Sequence, residues 1–191
     1  MSKKLKLKIS VAILIILILT VLSIFLHDKI TKYKRNNEFS KIVSEFHQNL
    51  DTKENLELEI EGNKVIGIIT IDKIDLEYPI IEYKDISSLE IGICKYEGVN
   101  IGETGNLCLL GHNMRNGIFF TSLYKLENGD IAQITDINGS EIEYEVYDKY
   151  YIEPTETKVL EQNNKELKEL TLITCNDTSS KRLVIKLKEI I

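Results

Sequence analysis

The 191-residue sequence predicts an all-β domain, a barrel or a sandwich, behind one membrane-spanning helix. Three observations predict it. From about Leu56 onward the chain reads as many short strand-like runs, several alternating apolar and polar. Helical runs are few, and no strand–helix–strand rhythm of a parallel α/β fold is present. Ahead of the strands, SVAILIILILTVLSIFL (Ser10 to Leu26) carries no charge at all.

The amino-terminal run comes first. With Ile9 it makes eighteen residues, which at about 1.5 Å per residue reach roughly 27 Å. A bilayer core is about 30 Å thick, so the run is just long enough to span it. Lys3, Lys4, Lys6 and Lys8 precede it and place the amino terminus inside. Lys29, Lys32, Lys34 and Arg35 follow it, so the charge asymmetry is weak. A cleaved signal peptide would need an AxA-like site of small residues, and the exit VLSIFLHDKI offers none. A buried core helix would not be apolar on every face. The expectation is an uncleaved signal anchor at 9–26, a cytoplasmic tail at 1–8, and a domain outside the membrane.

Residues 27–55 read as a linker holding a short amphipathic helix, roughly Asn37 to Leu50, with Phe39, Ile42, Val43, Phe46 and Leu50 at helical spacing. His47 lies off that stripe and reads as a surface residue, as does His27. The β domain is expected over 56–191. LELEIEGNKVIGIITI alternates, turns at Gly62-Asn63, then runs apolar. DLEYPII follows, where Pro79 suits an edge or a strand start. GNLCLLGH is a strand ending at a glycine and a histidine. GIFFTSLYKLENGD reads as a helical turn stopped by Asn128-Gly129. IAQITD and EIEYEVYDKYY are strands; in the second, Ile142, Tyr144 and Val146 face one way and Glu141, Glu143 and Glu145 the other. KVLEQNNKELKEL holds one short helix. LTLITC and RLVIKLK close the chain as a hairpin.

Charge excludes one class of partner. Residues 1–35 carry eight Lys/Arg against one acid, and the rest carries sixteen basic against twenty-nine acidic residues. An acidic domain lacks the basic footprint of nucleic-acid binding. Three cysteines, Cys94, Cys108 and Cys175, show no CxxC spacing and no paired His. That argues against a zinc site and a disulfide framework, and leaves one disulfide plus a free thiol as an open arrangement. The acidic surface offers ligands for calcium but no EF-hand-like loop is present, so calcium stays an open reading that the sequence does not indicate, and no other cofactor is expected.

The hairpin mouth carries the chemistry. Thr171, Ile173 and Cys175 share one strand face; Arg182, Val184 and Lys186 share one on the next strand. An antiparallel hairpin makes Cys175 and Arg182 flank the same opening. Cys175 also fits a small buried hydrophobe, and Arg182 a solvated edge charge. His112 is the one histidine within the expected strand domain. A thiol nucleophile needs a proton partner, and a guanidinium offers several donors for an oxyanion. Cys, His and Arg form a minimal acyl-transfer set.

These residues resemble those of the sortases, membrane-anchored cysteine transpeptidases of Gram-positive bacteria. TLITC (Thr171 to Cys175) matches the TLxTC signature, GHN (Gly111 to Asn113) the histidine motif, and Arg182 the arginine after the cysteine loop. VIGIITI, EYPII, GETGN and FF..L..LENGD agree in order, over about Val65 to Leu187. The resemblance implies a closed eight-stranded antiparallel barrel. It implies that Cys175 attacks the Thr–Gly carbonyl of an LPxTG-like sorting signal on a surface protein. A cell-wall precursor amine of the lipid II type then resolves the thioacyl-enzyme. It gives His112 the role of general acid and base, Arg182 that of oxyanion and substrate holder, and Thr174 a part in positioning the signal. GHNMRNG resembles class B, whereas ICKYEGVNIGETGN and the short interval from Tyr151 to Leu170 resemble classes A and D. The other functional reading is an inactive anchored binding module, distinguished by whether Cys175 reacts with a thiol probe.

Overall fold

The computed structural model describes residues 3–52, 57–114, 117–162 and 166–190. The chain divides into two compact units, Met1–Asn37 and Glu38–Ile191. Helix α1 runs Lys3–Thr52 without a break. The sequence contains no glycine before Gly62 and no proline before Pro79, so nothing interrupts it between the apolar run and the amphipathic stripe. The expected short helix is therefore the end of a long one. In the first unit Leu14, Ile16, Ile18, Leu19 and Val21 are exposed, and the helix is long and apolar enough to cross a membrane.

The second unit is a closed barrel. Its strands are β1 (Glu59–Ile60), β2 (Asn63–Ile71), β3 (Leu76–Glu82), β4 (Ile93–Gly98), β5 (Gly105–Leu110), β6 (Ile131–Asp136), β7 (Glu141–Ile152), β8 (Lys168–Cys175) and β9 (Arg182–Glu189), with a short helix α2 (Ser88–Ile91) between β3 and β4. The order is β1-β2-β3-β4-β5-β8-β9-β7-β6, and β6 pairs back onto β2. Eight strands, β2 to β9, thus close the ring, and β1 is a two-residue extension. Closure removes the open edges that an alternating, half-apolar sheet would otherwise expose. The barrel is not wholly antiparallel as expected: β3–β4 and β5–β8 are parallel. Pro79 lies on β3 ahead of Ile80, where β4 joins, so that flank of the strand needs no donor from it.

Alternation places the core. Ile142, Tyr144 and Val146 are buried and Glu141 and Glu143 exposed, until an irregularity between Val146 and Asp148 shifts the register. Phe39, Val43 and Phe46 of α1 join the same core as Leu170, Leu172, Leu183, Ile185 and Leu187. The opposite face of β8 and β9 carries Ile173 and Val184, which pack in a smaller cluster with Ile152 and Val159.

Three local expectations shift. The β1–β2 turn is Glu61-Gly62, both at positive φ, because a tight two-residue hairpin needs that conformation at both central positions. Asn63 opens β2 instead, and its Nδ2 donates back to the Glu61 carbonyl at 3.3 Å. The helical turn after His112 is a 3-10 turn, Phe120–Lys125, capped at buried Leu126 rather than at Asn128-Gly129. Of the last expected helix, one 3-10 turn forms, Lys158–Leu160; residues 163–165 lie outside the described ones.

Candidate active site

Strand pairing brings His112, Cys175 and Arg182 to one rim. β5 and β8 are parallel neighbours with Leu110 opposite Ile173, and the Gly111 N–H donates to the Ile173 carbonyl at 3.1 Å. Both strands leave the sheet at the same end, so the residues two positions further on, His112 and Cys175, emerge there together. β8 and β9 are antiparallel, and Cys175 is directly opposite Arg182. The period-two reading of the hairpin faces therefore holds.

The histidine loop is packed into place. A Cβ on Gly111 would meet the Phe120 ring at 2.8 Å, so only glycine lets the loop cross that ring. The Phe120 N–H donates to the His112 carbonyl at 3.1 Å. Phe119 holds φ +53, uncommon for a non-glycine residue. Its ring packs against Phe39 and Tyr78, with centroids 5.8 and 6.0 Å apart. Buried contact on two sides holds that backbone conformation at the loop carrying His112.

Asn113 ties this loop to the nucleophile's loop. Its Nδ2 donates to the Cys175 carbonyl at 3.1 Å and to Asp177 Oδ1 at 3.2 Å. His112 is half-buried, and its Nε2 lies 3.2 Å from Glu90 Oε1. Glu90 belongs to α2, which Ser88 anchors: the buried Ser88 hydroxyl donates to Asn63 Oδ1 at 3.2 Å and accepts from the Lys84 N–H at 3.1 Å. Arg182 Nη1 donates to the Ser179 and Lys181 carbonyls, each at 3.5 Å, the outer limit of a hydrogen bond. The three predicted residues thus share a rim, while the imidazole faces Glu90 and the guanidinium faces the β8–β9 loop.

A cleft of about 440 Å³ opens beside Cys175. Phe120, Tyr124, Tyr151, Thr174, Asp177 and Lys181 are among its lining residues. Thr174 is 1 % exposed, and its hydroxyl is the one buried side-chain polar atom without a hydrogen-bond partner among the described residues. An unmade bond to a buried hydroxyl costs about 1–3 kcal/mol.

The cysteines differ sharply. None of the three forms a disulfide in this structure. Cys94 and Cys108 are buried, and burial pushes their thiols up to about 12 and about 11. Cys175 alone is partly exposed. No group of three or more His, Cys, Asp or Glu side chains is arranged to hold a metal among the described residues.

Sequence reasoning did not assign Asn113, Glu90, Asp177 or the tyrosine walls. Asn113 stood inside the GHN motif, which was its signal. Glu90 had none, because only the barrel brings α2 beside His112.

The whole arrangement defines a barrel protein that holds one accessible thiol at the mouth of a cleft. A sortase domain model matches residues 69–190, and the chain belongs to the sortase family. It is 32 % identical over 138 residues to Sortase A of Bacillus anthracis, covering 71 % of this chain and 64 % of that one. It is 32 % identical over 117 residues to Sortase D of Bacillus subtilis, covering 60 % and 56 %. The match thus spans less than two thirds of either relative. Among solved structures, a sortase D5 transpeptidase of Clostridium perfringens superposes with a TM-score of 0.65 at 26 % identity, over 82 % of this chain and 98 % of that one.

Proposed function

We propose that this chain is a membrane-anchored cysteine transpeptidase acting on an LPxTG-like sorting signal. The observation that carries the reading is Cys175: a single partly exposed thiol at the barrel rim, opposite Arg182 and bonded through its carbonyl to the histidine loop. Family membership and the relatives' names support the chemistry.

The Cys175 thiolate attacks the threonine carbonyl of the signal. The C–N bond to glycine breaks, a C–S bond forms, and His112 gives the leaving amine its proton. An acceptor amine, of the lipid II type, then attacks the thioester. The C–S bond breaks, an amide C–N bond forms, and the thiol is regenerated. Both steps place negative charge on the carbonyl oxygen, and the Arg182 guanidinium supplies fixed donors for it. Arg182 must turn from the Ser179 and Lys181 carbonyls to do so; bonds as long as 3.5 Å hold it weakly. Thr174 offers its unpartnered hydroxyl to the bound signal.

α1 anchors the enzyme with its amino end in the cytoplasm and the barrel outside the cell. The names of the relatives, Sortase A and Sortase D, favour the class A or D reading over class B. The test is incubation of the protein with LPxTG-like peptides and intact-mass detection of a thioacyl adduct on Cys175. Cleavage without that adduct, or an adduct that survives Cys175→Ala, overturns the reading.

A further inference from the structure

The cleft beside Cys175 has a definite charge arrangement that the first half of the reaction does not use. Among its described lining residues Asp177 is the one carboxylate and Lys181 the one cation. Lys181 is already engaged: its Nζ lies 3.6 Å from Glu153 Oε1. Asp177 lies two residues past the nucleophile, and Asn113 Nδ2 holds its Oδ1 at 3.2 Å while holding the Cys175 carbonyl at 3.1 Å. One side chain therefore fixes the carboxylate relative to the nucleophile's backbone. An ionised carboxylate has about four lone-pair sites, so one bond from Asn113 leaves most of its accepting capacity to a ligand.

We propose that Asp177 receives the ammonium group of the acceptor amine, so that the cleft selects cationic amines over uncharged nucleophiles. The proposal rests on the transpeptidase reading and deepens it. An aliphatic amine arrives at neutral pH mainly as R–NH₃⁺, and a carboxylate beside the thioester concentrates it there. Of its three N–H protons, one stays on the new amide nitrogen. One goes to Cys175 Sγ as the C–S bond breaks, and one leaves to solvent by way of His112. No oxidant or further reactant is needed. Two other carboxylates stand near the rim, Glu90 beside the His112 ring and Glu153 beside Lys181, and neither is among the cleft's lining residues.

The test uses the full chain in detergent micelles, an LPxTG-like peptide as acyl donor, and two acceptor probes. Glycinamide is largely cationic at neutral pH; hydroxylamine is uncharged. Asp177→Asn keeps an oxygen that accepts from Asn113, removes the charge and turns the second oxygen into an amide NH₂ that repels an ammonium donor. The expected result is a rise of about fivefold in the KM for glycinamide, the size of an exposed ion pair. The KM for hydroxylamine stays as in the wild type, so the ratio of the two KM values carries the charge effect. Equal effects on both probes, or none on either, overturn the assignment. Failure of the wild-type protein to form any adduct on Cys175 overturns the transpeptidase reading, and this assignment with it.

Discussion

Cys94 and Cys108 are buried in the barrel wall, and burial disfavours the thiolate, whereas Cys175 stands at a strand end that the cleft keeps open. Alkylation of the native protein at neutral pH is therefore predicted to label Cys175 and spare the other two until the chain unfolds. Labelling of Cys94 or Cys108 as fast as Cys175 would contradict the assignment. Cys175→Ala abolishes peptide cleavage, while Cys94→Ala and Cys108→Ala spare it. Arg182 gives a second residue-scale prediction. Losing one oxyanion donor typically costs about 10²–10³ in turnover, so Arg182→Ala loses that much in kcat/KM with little change in Tm. Arg182→Lys restores the charge without the planar fork and recovers only part. Lys188→Ala, exposed at the far end of β9, is the control. Normal turnover of Arg182→Ala on a fluorogenic peptide would leave the arginine as an edge charge. Cys175 and Arg182 were legible in the sequence because both lie on strands, where a period of two names the face. Glu90 and Asp177 were not, since one comes from a four-residue helix and the other from a loop, where no period applies.

The connection between β7 and β8 is held by a polar cluster rather than by a long helix. Asn106 Nδ2 donates to the Val159 carbonyl at 2.8 Å, and Asn106 Oδ1 accepts from the Thr171 hydroxyl at 2.5 Å. Gln162 brackets the same residue, accepting from the Asn106 N–H at 2.8 Å and donating to its carbonyl at 2.9 Å. Lys186 Nζ donates to the Thr171 hydroxyl at 2.7 Å. Removing Asn106 leaves buried partners unsatisfied, each worth about 1–3 kcal/mol. Asn106→Ala is predicted to destabilise the domain by about that much and to open residues 153–162 to protease. Limited proteolysis with denaturant titration checks both, and an unchanged cleavage pattern would show that Val159 and Ile152 packing alone holds the segment. At this scale most strands were legible, because burial on one side writes alternation into β7 and β9. The bounds of turns were not. Gly62 marked the first hairpin, but which two residues form the turn depends on which can both hold positive φ. The single 3-10 turn at Lys158–Leu160 answers to the asparagine beneath it, a partner 53 residues away in the chain from Val159.

Barrel closure and the parallel pairs β3–β4 and β5–β8 are properties of the whole molecule, and local pattern does not encode them. Eight strands with one apolar face fit a sandwich as well as a ring; the β2–β6 ladder, Gly67 opposite Asp136 to Thr70 opposite Gln133, decides for the ring. Family resemblance supplied closure, and the parallel β5–β8 pair is what delivers His112 and Cys175 to a common end. The remaining whole-molecule property is attachment. α1 displays Leu14, Ile18 and Val21 on its exposed surface, in a run without a charged side chain from Ile9 to Leu26. A Lys at the centre of a spanning helix costs about 2.5–3.5 kcal/mol, so two of them offset much of what so short a run gains from the bilayer. The full chain is predicted to stay with membranes through a carbonate wash, whereas the double substitution Leu14→Lys and Ile18→Lys leaves it in the supernatant with the barrel folded. Protease added to intact cells should digest the barrel and spare an epitope placed before Lys3. A protected barrel with a digested epitope would reverse the orientation. A soluble wild-type chain with a new amino terminus near Asp28 would replace the anchor with a cleaved signal.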